Sequence, residues 1–142
     1  MKRIYLLLLI LLTACSAKPV VTHNGIEIFA PQVRVAGMGT QAMAAVYLQI
    51  KNTGPVTDRL VGASANFAEA SLHETQLSGG VMTMNPVAAV EIPSGALLEL
   101  RSGSYHVMLQ NLTRELQTGE TVTIVLEFEQ AGKIAFPAQV SR

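Results

Sequence analysis

The chain reads as all-β: a two-sheet sandwich or Greek-key barrel of about eight or nine short antiparallel strands. Three observations predict it. Apolar residues recur with a period of two. In "MAAVYLQIKN", Val46, Leu48 and Ile50 share a face opposite Tyr47, Gln49 and Lys51, and in "TVTIVLEFEQ", Val122, Ile124, Leu126 and Phe128 oppose Thr123, Glu127 and Glu129. Turn-forming clusters punctuate the runs, at Asn52-Thr53-Gly54-Pro55, Ser78-Gly79-Gly80, Pro93-Ser94-Gly95, Ser102-Gly103, Thr118-Gly119 and Ala131-Gly132. No stretch carries the periodicity of a long helix, and 142 residues suffice for one domain with a real core but not for two.

The N-terminus is a different kind of segment. "MKRIYLLLLILLTAC" opens with Lys2 and Arg3 and then runs apolar from Ile4 to Leu12. That run is far short of the roughly 20 residues that span a bilayer, so it reads as an export signal. It ends in "LTAC", which resembles the bacterial lipobox, where cleavage precedes a cysteine that becomes the lipidated first residue. Cys15 is the only cysteine, so no internal disulfide can form, and lipidation would remove a free thiol from an oxidising compartment. The expected organisation is a signal peptide over 1–14, a lipid-anchored tether over 15–25 and a β-sandwich domain over 26–142. Ser16 is not the aspartate that retains many lipoproteins in the inner membrane, so the expected location is the periplasmic side of a bacterial membrane, the outer one favoured.

Removing Lys2 and Arg3 leaves eight basic residues against ten acidic ones, a formal charge of −2. No basic run or basic-aromatic patch offers a nucleic-acid surface, and membrane attachment would come from the lipid alone. Catalytic groups are sparse: three histidines (His23, His73, His106) and a single aspartate, Asp58. There is no Gly-x-Ser-x-Gly elbow, no glycine-rich phosphate loop and no Glu-rich metal motif, so an acid–base enzyme has little support.

Methionine is the unusual component. Met38, Met43, Met82, Met84 and Met108 follow the signal, in a chain without tryptophan. Met38 and Met43 are expected to fill gaps in the core, the ordinary use of this residue. Met82 and Met84, two apart in "GGVMTMNP", share a face in extended chain. In "AEASLHETQL", Ala68, Ala70 and Leu72 suit the core, which turns Glu69, Ser71, His73 and Thr75 outward. In "GSYHVMLQNL", Tyr105, Val107 and Leu109 suit the core, which places His106 and Met108 together on the outer face. His23, in the expected tether, reads as a solvated residue. Imidazole beside thioether suits copper: thioether sulfur is soft and uncharged and favours Cu(I), while imidazole binds copper in either state. Two of each make a neutral ligand set.

The spacing of these residues carries a resemblance. His73, Met84, His106 and Met108 reproduce the H-x10-M-x21-H-x-M signature of the PCu(A)C periplasmic copper chaperones, an arrangement expected by chance on the order of once in ten thousand such chains. "AAVYLQIKNTG", "SLHET", "GGVMTMNPV", "EIPSGALLEL" and "GSYHVML" are also similar to the family, over about residues 27 to 137. The resemblance implies a cupredoxin-like β-sandwich that binds Cu(I) through His73, Met84, His106 and Met108. It also implies delivery toward the CuA centre of cytochrome c oxidase, directly or with a Sco-type thiol protein. Met82 stands as an alternative ligand to Met84, and a monomer suits a carrier. Two departures stand out: Glu74 replaces the methionine that often follows the first histidine, and the His- and Met-rich tail of many relatives is missing after "FPAQVSR". A blue-copper electron-transfer site is excluded, because it needs a cysteine thiolate and the only cysteine is Cys15.

A copper carrier therefore leads. A lipid-anchored binding module of the envelope without a metal role is the alternative, and an enzyme the weakest reading. Because an imidazole must be neutral to bind a metal, the carrier reading predicts that copper affinity falls as pH drops through roughly 6.

Overall fold

A computed structural model describes residues 17–142. The expected signal peptide and the Cys15 lipidation site lie outside the described residues. The described chain forms a β-sandwich of eleven strands: β1 (Val21–His23), β2 (Ile26–Ala36), β3 (Met43–Asn52), β4 (Asp58–Ser64), β5 (Glu69–Ser78), β6 (Val81–Pro86), β7 (Val90–Ile92), β8 (Leu97–Leu100), β9 (Tyr105–Gln110), β10 (Thr121–Phe128) and β11 (Gly132–Ser141). One short 3-10 turn, Gly39–Gln41, links β2 to β3. The eleven strands exceed the expected eight or nine, and β1, β7 and β8 are only three, three and four residues long, too short to display a clear alternation of their own.

Hydrogen bonding runs in the order β6-β5-β9-β3-β2-β11-β10-β4-β7, with β1 added to β2 and β8 to β3. The pairings are antiparallel except β11 with β2, which run parallel from Gln139 opposite Gln32 to Ser141 opposite Arg34. The ladder folds over one continuous core that includes Ile28, Val33, Val46, Ile50, Leu60, Val107, Leu109, Ile124, Leu126 and Phe136, all buried. These are the residues that the period of two assigns inward, since alternate side chains on a strand point to opposite faces.

In β2 that period changes phase. Ile26 and Ile28 point inward at even positions, whereas Pro31, Val33 and Val35 do so at odd ones. A bulge supplies the extra residue: Phe29 opposes Gln49 and Gln32 opposes Tyr47, so three steps on β2 match two on β3. Ala30 takes φ of 46° there, and Pro31, which has no N–H to donate to a ladder, occupies the interruption.

The expected tether over 15–25 is shortened by the structure. Val21 to His23 pair with Ile28 to Ile26 as a hairpin across Asn24 and Gly25, both at positive φ, so this stretch belongs to the sheet. Its apolar content was too brief to read as a strand. His23 is solvated, as expected, with its Nε2 against the Asn24 amide at 3.1 Å.

The sole aspartate is also accounted for. Asp58 is buried, and its carboxylate accepts hydrogen bonds from the backbone N–H groups of Arg59, Gln130 and Ala131 at 2.7, 2.9 and 3.0 Å. It ties the start of β4 to the β10–β11 turn. Asn52 does similar work: its amide donates to the carbonyls of Val56 and Ile92, both at 2.8 Å, while its oxygen accepts from the N–H of Gly54 at 2.9 Å.

Candidate metal centre

The two inner histidines meet by register. β5 and β9 pair antiparallel with His73 directly opposite His106, and directly opposed residues project from the same face. Their rings stack with centroids 5.9 Å apart and planes inclined at 22°. Met108, two residues along β9 and therefore on that same face, opposes Ser71. Met84 comes from the edge strand β6, where it opposes Thr75, the next residue outward from His73 on this face of β5. Its hairpin turns through Gly79 and Gly80, with φ of 58° and 81°, the double positive φ of a type I′ turn. Residues from three strands thus converge on one patch of sheet.

A groove of about 220 Å³ lies over this patch, lined by Met84, His106, Met108 and Met43, with Arg34, Tyr47 and the small residues Ala36, Ala44 and Ala45. Met84 stands three strands from Met43 and six residues away along the ladder, more than about 20 Å in a flat sheet, so the sheet must bend for the two to share one groove. His106, assigned to an exposed outer face, is only 3% accessible, with its ring against that of His73 and in the wall of the groove that Met84 and Met108 also line. Thr75, also expected outward, is buried too, and its hydroxyl has no hydrogen-bond partner.

Neighbouring groups orient the potential donors. His106 Nδ1 lies 3.2 Å from the carbonyl oxygen of Ser104. A carbonyl only accepts, so Nδ1 carries the proton and Nε2 keeps its lone pair. His73 Nδ1 is 3.4 Å from the Ser71 hydroxyl. The Met108 sulfur accepts a hydrogen bond from Gln110 Nε2 at 2.9 Å. Glu74 alternates to the opposite face from His73 and so does not compete at this patch. Its carboxylate accepts from Gln76 at 2.9 Å and neighbours Tyr105, whose phenol is pushed above its ordinary pKa by burial first and by Glu74 second.

The structure therefore brings His73, His106, Met108 and Met84 together. Met82 it does not: this side chain opposes Leu77, one step further out on the hairpin, and does not line the groove. Among the described residues no three His, Cys, Asp or Glu side chains cluster as a metal site, so a metal would have to rely on the thioethers. The chemistry fits that demand: two imidazoles and two thioethers form an uncharged, soft donor set suited to a soft monovalent ion. Met38 and Met43, expected in the core, are instead 79% and 51% exposed. For Met43 the signal was available, since Ala44 and Val46 point inward and the residue before them must point out. The contact from Gln110 was not foreseeable, because a hydrogen bond to sulfur has no sequence signature.

Comparison with known proteins places this arrangement. The family described as "Putative lipoprotein LpqE-like" matches residues 26–140. A relative named "Putative lipoprotein Lxx21020", from Leifsonia xyli subsp. xyli, is 34% identical over 119 residues, which is 82% of this chain and 70% of that one. The copper-bound PCuAC domain from PmoF2 superposes with a TM-score of 0.70 over 85% of this chain and 96% of that one; at 24% identity it shows the fold alone. The solution structure of CuI-DR1885 from Deinococcus radiodurans superposes with a TM-score of 0.61 at 30% identity, over 89% of this chain and 81% of that one. With a matching family profile over residues 26–140 and a PCuAC-type architecture, the chain belongs to the LpqE-like family, within the PCu(A)C-type group of β-sandwich proteins.

Proposed function

We propose that this protein is a copper chaperone that binds one Cu(I) through His73, Met84, His106 and Met108 and releases it to an acceptor. The observation that carries the reading is the direct opposition of two imidazoles on β5 and β9, with two thioethers on the same face and no carboxylate or thiolate among them. Such a set neutralises no charge, so it discriminates against Cu(II) and divalent zinc in favour of Cu(I). His106 contributes Nε2, because its Nδ1 proton is held by Ser104, an orienting contact of the kind that metal-bound histidines use. Relatives whose structures were solved with copper, among them CuI-DR1885, support the choice of ion.

Exposure of Met84 on an edge strand lets an acceptor approach the ion from the solvent side. The acceptor we favour is the CuA subunit of cytochrome c oxidase or a Sco-type thiol protein, reached by a monomer that is held on a bacterial membrane, the outer one favoured, by a lipid on Cys15. The protein is then a carrier and not a catalyst.

An anaerobic Cu(I) titration against a chromogenic chelator tests the site. One Cu(I) per chain is expected, held at least about tenfold more weakly after Met108→Ala, which removes a directly coordinating sulfur. Met82→Ala should stay within about threefold of the native affinity, the scatter of a surface change. Identical curves for the native protein and Met108→Ala would leave the envelope binding module as the better reading.

A further inference from the structure

Met43 lies within the groove without a role in the four-residue ligand set. It is half exposed, so packing does not account for a long thioether at this position. On β3, Ala45 opposes Met108, which makes Met43, two residues earlier on the same face, the diagonal neighbour of Met108. Diagonal positions across paired strands lie about 7–8 Å apart, within reach of two long side chains. Met43 also lines the same groove as Met84, with His106 and Met108 of the intervening strand β9 between them and the small side chains of Ala36 and Ala45 beside Met43. Arg34 is the only charged residue in that lining, and its guanidinium repels a divalent cation about twice as strongly as a monovalent one.

We propose that Met43 is a third thioether donor for Cu(I), which replaces Met84 in the coordination shell while His73, His106 and Met108 stay in place. The proposal rests on the Cu(I) site described above. It gives the ion two alternative ligand sets: an outer one closed by Met84 from the edge hairpin and an inner one closed by Met43 from the centre of the sheet. When Met84 yields to an incoming acceptor, one Cu–S bond breaks as another forms, no electron moves, and the ion is never left with fewer than four protein donors. Two adjacent thioether positions also suit exchange better than one rigid site.

The experiment is a double-mutant cycle on the full-length protein, with Met43→Ala, Met84→Ala and both together. Affinity is read by anaerobic chelator competition, and sulfur neighbours per copper by X-ray absorption. Met43→Ala alone should weaken binding by less than about threefold and Met84→Ala by about tenfold, whereas the double variant should lose more than about a hundredfold, well beyond the product of the two. Met84→Ala should keep two sulfur neighbours on copper and the double variant one. Met43→Leu, which preserves apolar volume, should behave as Met43→Ala. A double variant equal to the product of the singles, or one sulfur in Met84→Ala, overturns the proposal. His73→Ala separates the two levels. If it binds Cu(I) like the native protein, the site reading itself fails and Met43 with it; if it binds weakly while the cycle is additive, only the role of Met43 fails.

Discussion

At the scale of single residues, polar groups in this protein divide into those that hold the sandwich together and those that orient the candidate ligands. Asp58 belongs to the first kind. Its carboxylate gathers three backbone N–H groups from two chain segments, and the N–H of Ala131 is buried. Asp58→Ala strands those donors, so it should lower the free energy of unfolding by about 2–4 kcal/mol, read as an earlier urea midpoint, and Asp58→Asn, which keeps one acceptor, by less. Ser104 and Gln110 belong to the second kind: one holds the proton of His106 Nδ1, the other donates to the sulfur of Met108. The set of four candidate ligands came from the resemblance to a known signature, and local parity offered only the pairing of His106 with Met108. Their orienting partners were not legible, because a backbone carbonyl and a glutamine amide acquire meaning only once distances are known.

At the scale of elements, the bulge in β2 decides whether one strand can serve the core along its whole length. The inward residues change from even to odd positions between Ile28 and Pro31, and a regular strand would turn one half of them to solvent. The extra residue costs strain, since Ala30 is held at φ of 46°, where a Cβ crowds the backbone. Ala30→Gly should therefore stabilise the protein by about 0.5–1 kcal/mol, offset in part by the greater chain entropy of unfolded glycine, and a raised melting temperature would report it. Deleting Ala30 should abolish cooperative unfolding, because either Ile26 and Ile28 or Val33 and Val35 would lose the core. The phase change was present in the sequence, but "IEIFAPQVRVA" read with a fixed period gives no clean strand.

For the whole molecule, stability at low pH should depend on surface pairs that bridge segments. Glu120 accepts from Arg114 at 3.0 Å and from the Gln117 N–H at 2.6 Å, and Arg114 in turn lies over the Phe67 ring at 5.6 Å. The Arg114 hydrogen bond, followed by that of Gln117, holds the Glu120 carboxyl below the ordinary glutamate range. A carboxyl depressed on folding stabilises the native state fully above its unfolded pKa, and that contribution is lost as pH falls through the folded one. Glu120→Gln should thus flatten the acid side of the stability–pH curve between about pH 5 and 3. The effect should be under about 1 kcal/mol, because solvent screens so exposed a pair. Urea midpoints measured across that range, with and without the substitution, would show it.

The sequence by itself determined the all-β class, the inward and outward faces of the longer strands, and the pairing of His106 with Met108. All of these come from a local rule, the alternation of side chains along extended backbone. Only the tertiary structure decided which strands became neighbours: that β5 lies beside β9 in the register that opposes His73 to His106, and that β11 runs parallel to β2. It alone decided that His106 and Thr75 are buried at positions local parity assigns to solvent, and that Met43 and Met84 line one groove. Burial depends on what another part of the chain places above a residue, and a two-residue period contains no information about that.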